Sequence, residues 1–360
     1  MQIIIDNIMQ NWWNIDCSPI ISLLIGALIL SLFIWLLFGL FLYVNWIAAD
    51  LWPINRTTDN HHEIKWTWAS FKDKLSNKLH YQSSIFSAKF WQKTDCLVAF
   101  CGLLSSWTAC LFLPWSISHC NLPSQVTMSG FCNQADLLCF FGFILLSYLS
   151  ELALALQINR QVHWQNLLWS KLSWLYIFLI ICLGPVVLTG NLSISEIIKA
   201  QTEGIFGISW LGLYAIPCFL GIAAALICFY NWQRNFNDIS VQKDIKNFCS
   251  PQSIFLLRLI DSFNFFSLAC LLILLFGGGW NIPNLVYPAY INLGFLIASN
   301  VDLLCAILVF ILKLLILSAL WPCLYHYLEN KPAVSFNICL TLAISNFLLC
   351  LTIAGFSVAS

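Results

Sequence analysis

Eight stretches of this chain run for about 20 residues or more with almost no charge, and that feature decides the solvent before anything else is considered. A helix crossing the roughly 30 Å hydrocarbon core of a bilayer needs about 20 mainly apolar residues. The stretches lie at approximately 19–44, 95–115, 136–156, 166–189, 207–231, 254–278, 293–322 and 333–356. Only 9% of the 360 residues are charged and 60% are hydrophobic, whereas a soluble domain carries about 25% charge. Water cannot solvate such a surface. The sequence therefore predicts an all-α polytopic membrane protein, a single transmembrane domain of about eight helices. Met1–Trp13 has no basic residue, and no small-residue cleavage site follows the first apolar run, so that run reads as a retained span rather than a signal peptide.

Net charge is zero, but the placement of the charges is informative. Short loops rich in Lys and Arg stay on the cytoplasmic or matrix side. Arg56, Lys65, Lys72, Lys74, Lys78, Lys89 and Lys93 follow the first span, Arg160 and Lys171 the third, Arg234, Lys243 and Lys246 the fifth, and Lys331 the seventh. The opposite loops hold only Lys199. Both termini are then expected outside. The inner side also receives the two sizeable polar segments, 45–94 and 232–253, which read either as a docking platform for a soluble partner or as solvated connectors.

Most of the 16 cysteines sit inside apolar runs, where a thiol behaves as a small hydrophobe. No Cys-x-x-Cys pair exists, and the histidines (His61, His62, His80, His119, His163, His326) lack helical ligand spacing, so no metal is expected on this chain; no flavin is expected on it either. Cys120 and Cys132 share an outer loop and are the one pair placed to join in an oxidising compartment. The run Gly277–Gly278–Gly279 lacks the lysine of a phosphate loop and reads as a helix terminator. Pro185 and Pro217 fall inside spans, where neighbouring helices must satisfy the backbone they free.

Ionisable groups inside a span cost several kcal/mol unless paired or hydrated, so each is a functional candidate. Glu151, Asp261 and Lys313 fit a buried proton or ion relay. Competing structural readings place Glu151 near the interface and join Arg258 to Asp261, three residues apart, in a salt bridge along one helix. Lys313 is too far from either end of its span to snorkel, so an acidic partner on another helix is expected, with Asp261 and Glu151 the leading choices and Asp302 too near the outer end.

Three stretches resemble the quinone-site membrane subunit of respiratory complex I, called subunit 1 in mitochondria, and its relatives in membrane-bound hydrogenases. Leu188–Gln201, LTGNLSISEIIKAQ, is similar to the family's segment after its fourth span; Leu275–Pro283, LFGGGWNIP, to its LFLGGW and following Pro; and Asn231–Ile239, NWQRNFNDI, to its ETNRxPFDL, keeping Arg234 and Asp238. Lys313 stands where the family has a lysine, and Asp261 where it has the Glu of AEY. The family's RxGPNxxG is missing, its SYE reads WLY with Tyr176 in place of Glu, and its PRxRxDQ reads YHYLENKPAV. The resemblance implies a subunit of an NADH–quinone oxidoreductase that binds a quinone as substrate at the inner surface of a bacterial inner or mitochondrial inner membrane. Its expected partners are lipid and the other membrane and iron–sulfur subunits of such an assembly, not nucleic acid. Glu151, Asp261 and Lys313 would serve proton translocation, and Arg234, Asp238, Lys72 and Asp73 the quinone chamber and inner loops. A degenerate structural anchor and an unrelated ion or proton transporter are the alternatives.

Overall fold

The computed structural model describes residues 28, 30–44, 94–113, 136–157, 162–203, 220–228, 251–279, 307–320 and 336–359. These residues are nearly all helical. In chain order the helices are α1 (Leu30–Val44), α2 (Thr94–Phe112), α3 (Leu137–Gln157), α4 (Val162–Thr189), α5 (Ile194–Glu203), α6 (220–228), α7 (Pro251–Phe276), α8 (Ile307–Leu320) and α9 (Phe336–Ala359). Four contain stretches long and apolar enough to cross a membrane: Leu137–Leu154, Lys171–Thr189, Phe255–Phe276 and Asn337–Gly355. The protein is an all-α membrane protein. The placement of the termini, residues 45–93 and 232–250 of the two segments expected on the inner side, the pair Cys120 and Cys132, and Pro217 lie outside the described residues.

Helix α7 is the centre of the bundle. Of its Phe255–Phe276 stretch 78% is buried, against 22% of Asn337–Gly355 in α9, which turns Ile338, Ile344, Leu348 and Leu351 outward. Outward leucines cost nothing in lipid, so burial here reports position rather than hydrophobic driving force. Helices α2 and α3 pack on each other and on α7, α4 packs on α3 and α9, and α1 lies across α2 and α7 through a layer of rings. Phe38 stacks on Phe263 at 4.0 Å between centroids, Phe41 meets Phe266 at 5.5 Å, and Trp35 touches both Trp107 and Phe263.

Small residues set the closest approach. A Cβ on Gly102 of α2 would collide with Ser150 Oγ of α3 and press on Ile260 of α7. Ser105 Oγ, one turn along α2, donates to Phe143 O at 2.7 Å. Interfaces of this kind let backbones pack closely where hydrophobicity supplies no attraction between helices.

Helix ends are finished by backbone and side-chain donors. Gly190, at φ 68°, ends α4 with its N–H on Val186 O, and Leu192 O just beyond accepts from Leu137 N at the start of α3. The predicted terminator acts as one: Gly277 and Gly279 both donate to Ile273 O, and Gly278 and Gly279 adopt φ of 71° and 53°. Two successive left-handed residues are available cheaply only to glycine. Residues 194–203, within the loop between the fourth and fifth expected spans, form the short helix α5. Ile194, Ile197, Ile198 and Gln201 recur at helical spacing and are all buried.

Candidate functional site

Glu151 closes the apolar part of α3, Lys171 opens that of α4, and Asp261 lies about two turns into the apolar part of α7. The packing of these three helices brings the side chains together. Lys171 Nζ donates to Glu151 Oε2 at 3.0 Å and to Asp261 Oδ1 at 2.6 Å. Glu151 and Lys171 are each 2% exposed and Asp261 12%, so Asp261 is the acid nearest the exterior. The face of the Tyr148 ring, one turn before Glu151, lies 5.7 Å from the ammonium.

A polar stripe continues from the cluster into the bundle. Asn264, one turn beyond Asp261, is fully buried and donates from Nδ2 to Ser147 Oγ at 2.8 Å, and Ser147 donates in turn to Ile144 O. Ser267, a further turn along, is also fully buried. Glu151 Oε1, Asp261 Oδ2 and Asn264 Oδ1 are buried acceptors with no hydrogen-bond partner among the described residues. The hydroxyls of Tyr148 and Ser267 are buried in the same region.

Two of the three relay candidates meet here, and the third does not. Lys313, on α8, sends Nζ to Gly277 O at 2.7 Å and Gly279 O at 2.9 Å, at the C-terminal end of α7. Glu151 and Asp261 are joined to Lys171, so the expected pairing of Lys313 with either acid is corrected. The negative end of a helix dipole and its terminal carbonyls give an ammonium a favourable place. Gln201 of α5 covers the neighbouring carbonyls, donating to Leu274 O and Leu275 O at 3.0 Å each.

The competing reading that joins Arg258 to Asp261 is corrected: Asp261 turns to Lys171 while Arg258 is exposed, and Glu151 is buried within the bundle. Tyr176 is 60% exposed and outside the cluster. Arg234, Asp238, Lys72, Asp73 and Asp302 lie outside the described residues.

Lys171 belongs, by sequence, with the loop positives. Its position at the edge of an apolar run satisfies the positive-inside rule, and only the i, i+3 recurrence of Asp261, Asn264 and Ser267 signals a polar face for it to meet. A second polar residue carries no such signal. Pro185 has no N–H for Ile181 O, the carbonyl four residues earlier in α4. Asn346 of α9 supplies that donor from Nδ2 at 3.4 Å, in a space left by Gly184 and Gly221. Compared with known proteins, the chain matches no family model and no curated protein sequence.

Proposed function

We propose that this chain is a divergent membrane subunit of a complex I-like NADH–quinone oxidoreductase, with eight spans, both termini outside, and its polar loops facing the cytoplasm or matrix. The observation that carries the reading is a contact between two of the stretches that resemble the family. Gln201, which ends LTGNLSISEIIKAQ, donates to Leu274 O and to Leu275 O, the start of LFGGGWNIP, and Ile198 lies 3.6 Å from where a Cβ on Gly279 would sit. Segments some 74 residues apart in sequence that resemble one family in order, and also fold against each other, support descent from a common scaffold.

In this reading the chain contributes position and electrostatics rather than a redox group. Arg234, Asp238, Lys72 and Asp73 would line or border the inner face where a quinone head is received, and electrons would come from an iron–sulfur cluster in a soluble subunit. Glu151 and Asp261, with Lys171, form the charged element that would couple this chemistry to proton movement. Lys313 leaves the proton path and becomes a helix-terminating cation.

That last change, with the absent RxGPNxxG and SYE motifs, favours a second reading in which the chain anchors such a complex without a working quinone site. Affinity purification from native membranes with mass spectrometry tests both. Co-purifying iron–sulfur and membrane subunits are expected, and quinone reductase activity of the purified complex separates the working subunit from the anchor. A solitary oligomer would overturn both and leave the transporter reading.

A further inference from the structure

The cluster of α3, α4 and α7 holds two carboxylates and one ammonium with almost no access to water. Lys171 neutralises one acid. The second leaves a net negative charge among apolar helices, where an uncompensated ion costs several kcal/mol. Three observations show that nothing else described compensates it. Glu151 Oε1 and Asp261 Oδ2 are buried without a donor. Asn264, the adjacent buried amide, has committed its Nδ2 to Ser147 and turns an unsatisfied oxygen, not a donor, to its surroundings. Arg258, a turn before Asp261, is exposed and takes no part in the cluster.

We propose that Glu151, Lys171 and Asp261 form a single-proton site. One proton, given up by hydronium with release of water, binds an oxygen of one of the two carboxylates and leaves a neutral carboxyl, while Lys171 stays paired with the other acid. With the proton present the cluster is neutral, and with it gone the cluster carries one net negative charge. Lys171 is the positioning residue: it touches both acids, so it pairs with whichever carboxylate remains charged. Of the other titratable groups near the site, Tyr148 covers Lys171 with its ring, Arg258 on α7 is exposed and bonds neither acid, and Cys96 of α2 meets Ser253, two turns before Asp261. As the coupling element of the proposed subunit the site rests on that reading. The proton count does not, because it follows from the charges that meet among the described residues.

The test is infrared spectroscopy of the purified full chain in lipid, reading the C=O stretch of protonated carboxyl groups and its shift in heavy water. Charge neutrality fixes the outcome for each variant. E151Q and D261N each leave one acid with one lysine, so each should lose one carboxyl signal relative to the native chain. K171R keeps the cation and should leave the signal in place. K171M leaves two acids alone and should gain one signal; where it does not fold, the acid variants and K171R decide. Retention of the native signal in either E151Q or D261N would overturn the proposal. The readout needs no partner subunit, so it fails or succeeds independently of the complex.

Discussion

Replacing Lys171 with Met isolates the energetic role of the ammonium. It removes the partner of Glu151 and Asp261 together, and both lie where water cannot reach them well. Removing one member of a buried ion pair costs about 3–5 kcal/mol, because the remaining charge is stranded. The acid that Lys171 neutralised must then take up a proton or remain a stranded charge, which places K171M at about 3–5 kcal/mol. Replacing the whole cluster with neutral groups of similar size is expected to be nearly neutral. The triple variant K171M/E151Q/D261N should therefore recover most of the loss and sit within about 2 kcal/mol of the native chain. The pair E151Q and D261N, each leaving one matched acid and base, should cost about 1 kcal/mol apiece. Reversible denaturation of the chain in mixed detergent micelles, followed by circular dichroism, measures the series. A K171M chain as stable as the native one, or a triple variant no better than K171M, would refute the assignment of Lys171 as the centre of the cluster.

Two further outcomes follow from the helix ends and the proline. Lys313→Leu removes the donor to Gly277 O and Gly279 O, so it should lower stability by about 1–3 kcal/mol while leaving the infrared carboxyl signal unchanged; loss of that signal would join Lys313 to the cluster. In α4, Asn346→Leu strands Ile181 O only while Pro185 denies it a backbone donor, so in a P185A background the same substitution should cost about 0.5 kcal/mol less, and an equal cost in both backgrounds, read by the same denaturation, would count against the contact.

The apolar runs and the glycine terminator were legible because lipid and left-handed backbone impose one-dimensional demands: length without charge, and glycine where φ is positive. Glu151 and Asp261 were legible as candidates for the same reason, since any ion in an apolar run must have a purpose or a partner. Their partner was not legible. Which lysine meets them depends on helix rotation and on which helices adjoin, and a residue at a span's edge, such as Lys171, satisfies a loop rule and a pairing rule equally well. Lys313 misled in the opposite way, because an ammonium at depth can be satisfied by carbonyls that no sequence pattern advertises. Asn346 carries no charge and so raised no flag; its reason lies in a carbonyl freed four residues before a proline on another helix. Helix α5 was hidden by its length, too short for a span yet periodic enough to dock Gln201 on the end of α7.

The proposal that this chain serves a larger redox assembly is tested most directly by crosslinking lysines in native membranes before the affinity purification. Segment 45–94 carries Lys72, Lys74 and Lys78 on the side assigned to the cytoplasm or matrix. The account predicts that these lysines crosslink to a co-purifying soluble subunit that holds an iron–sulfur cluster. Crosslinks confined to this chain and its own copies would contradict it.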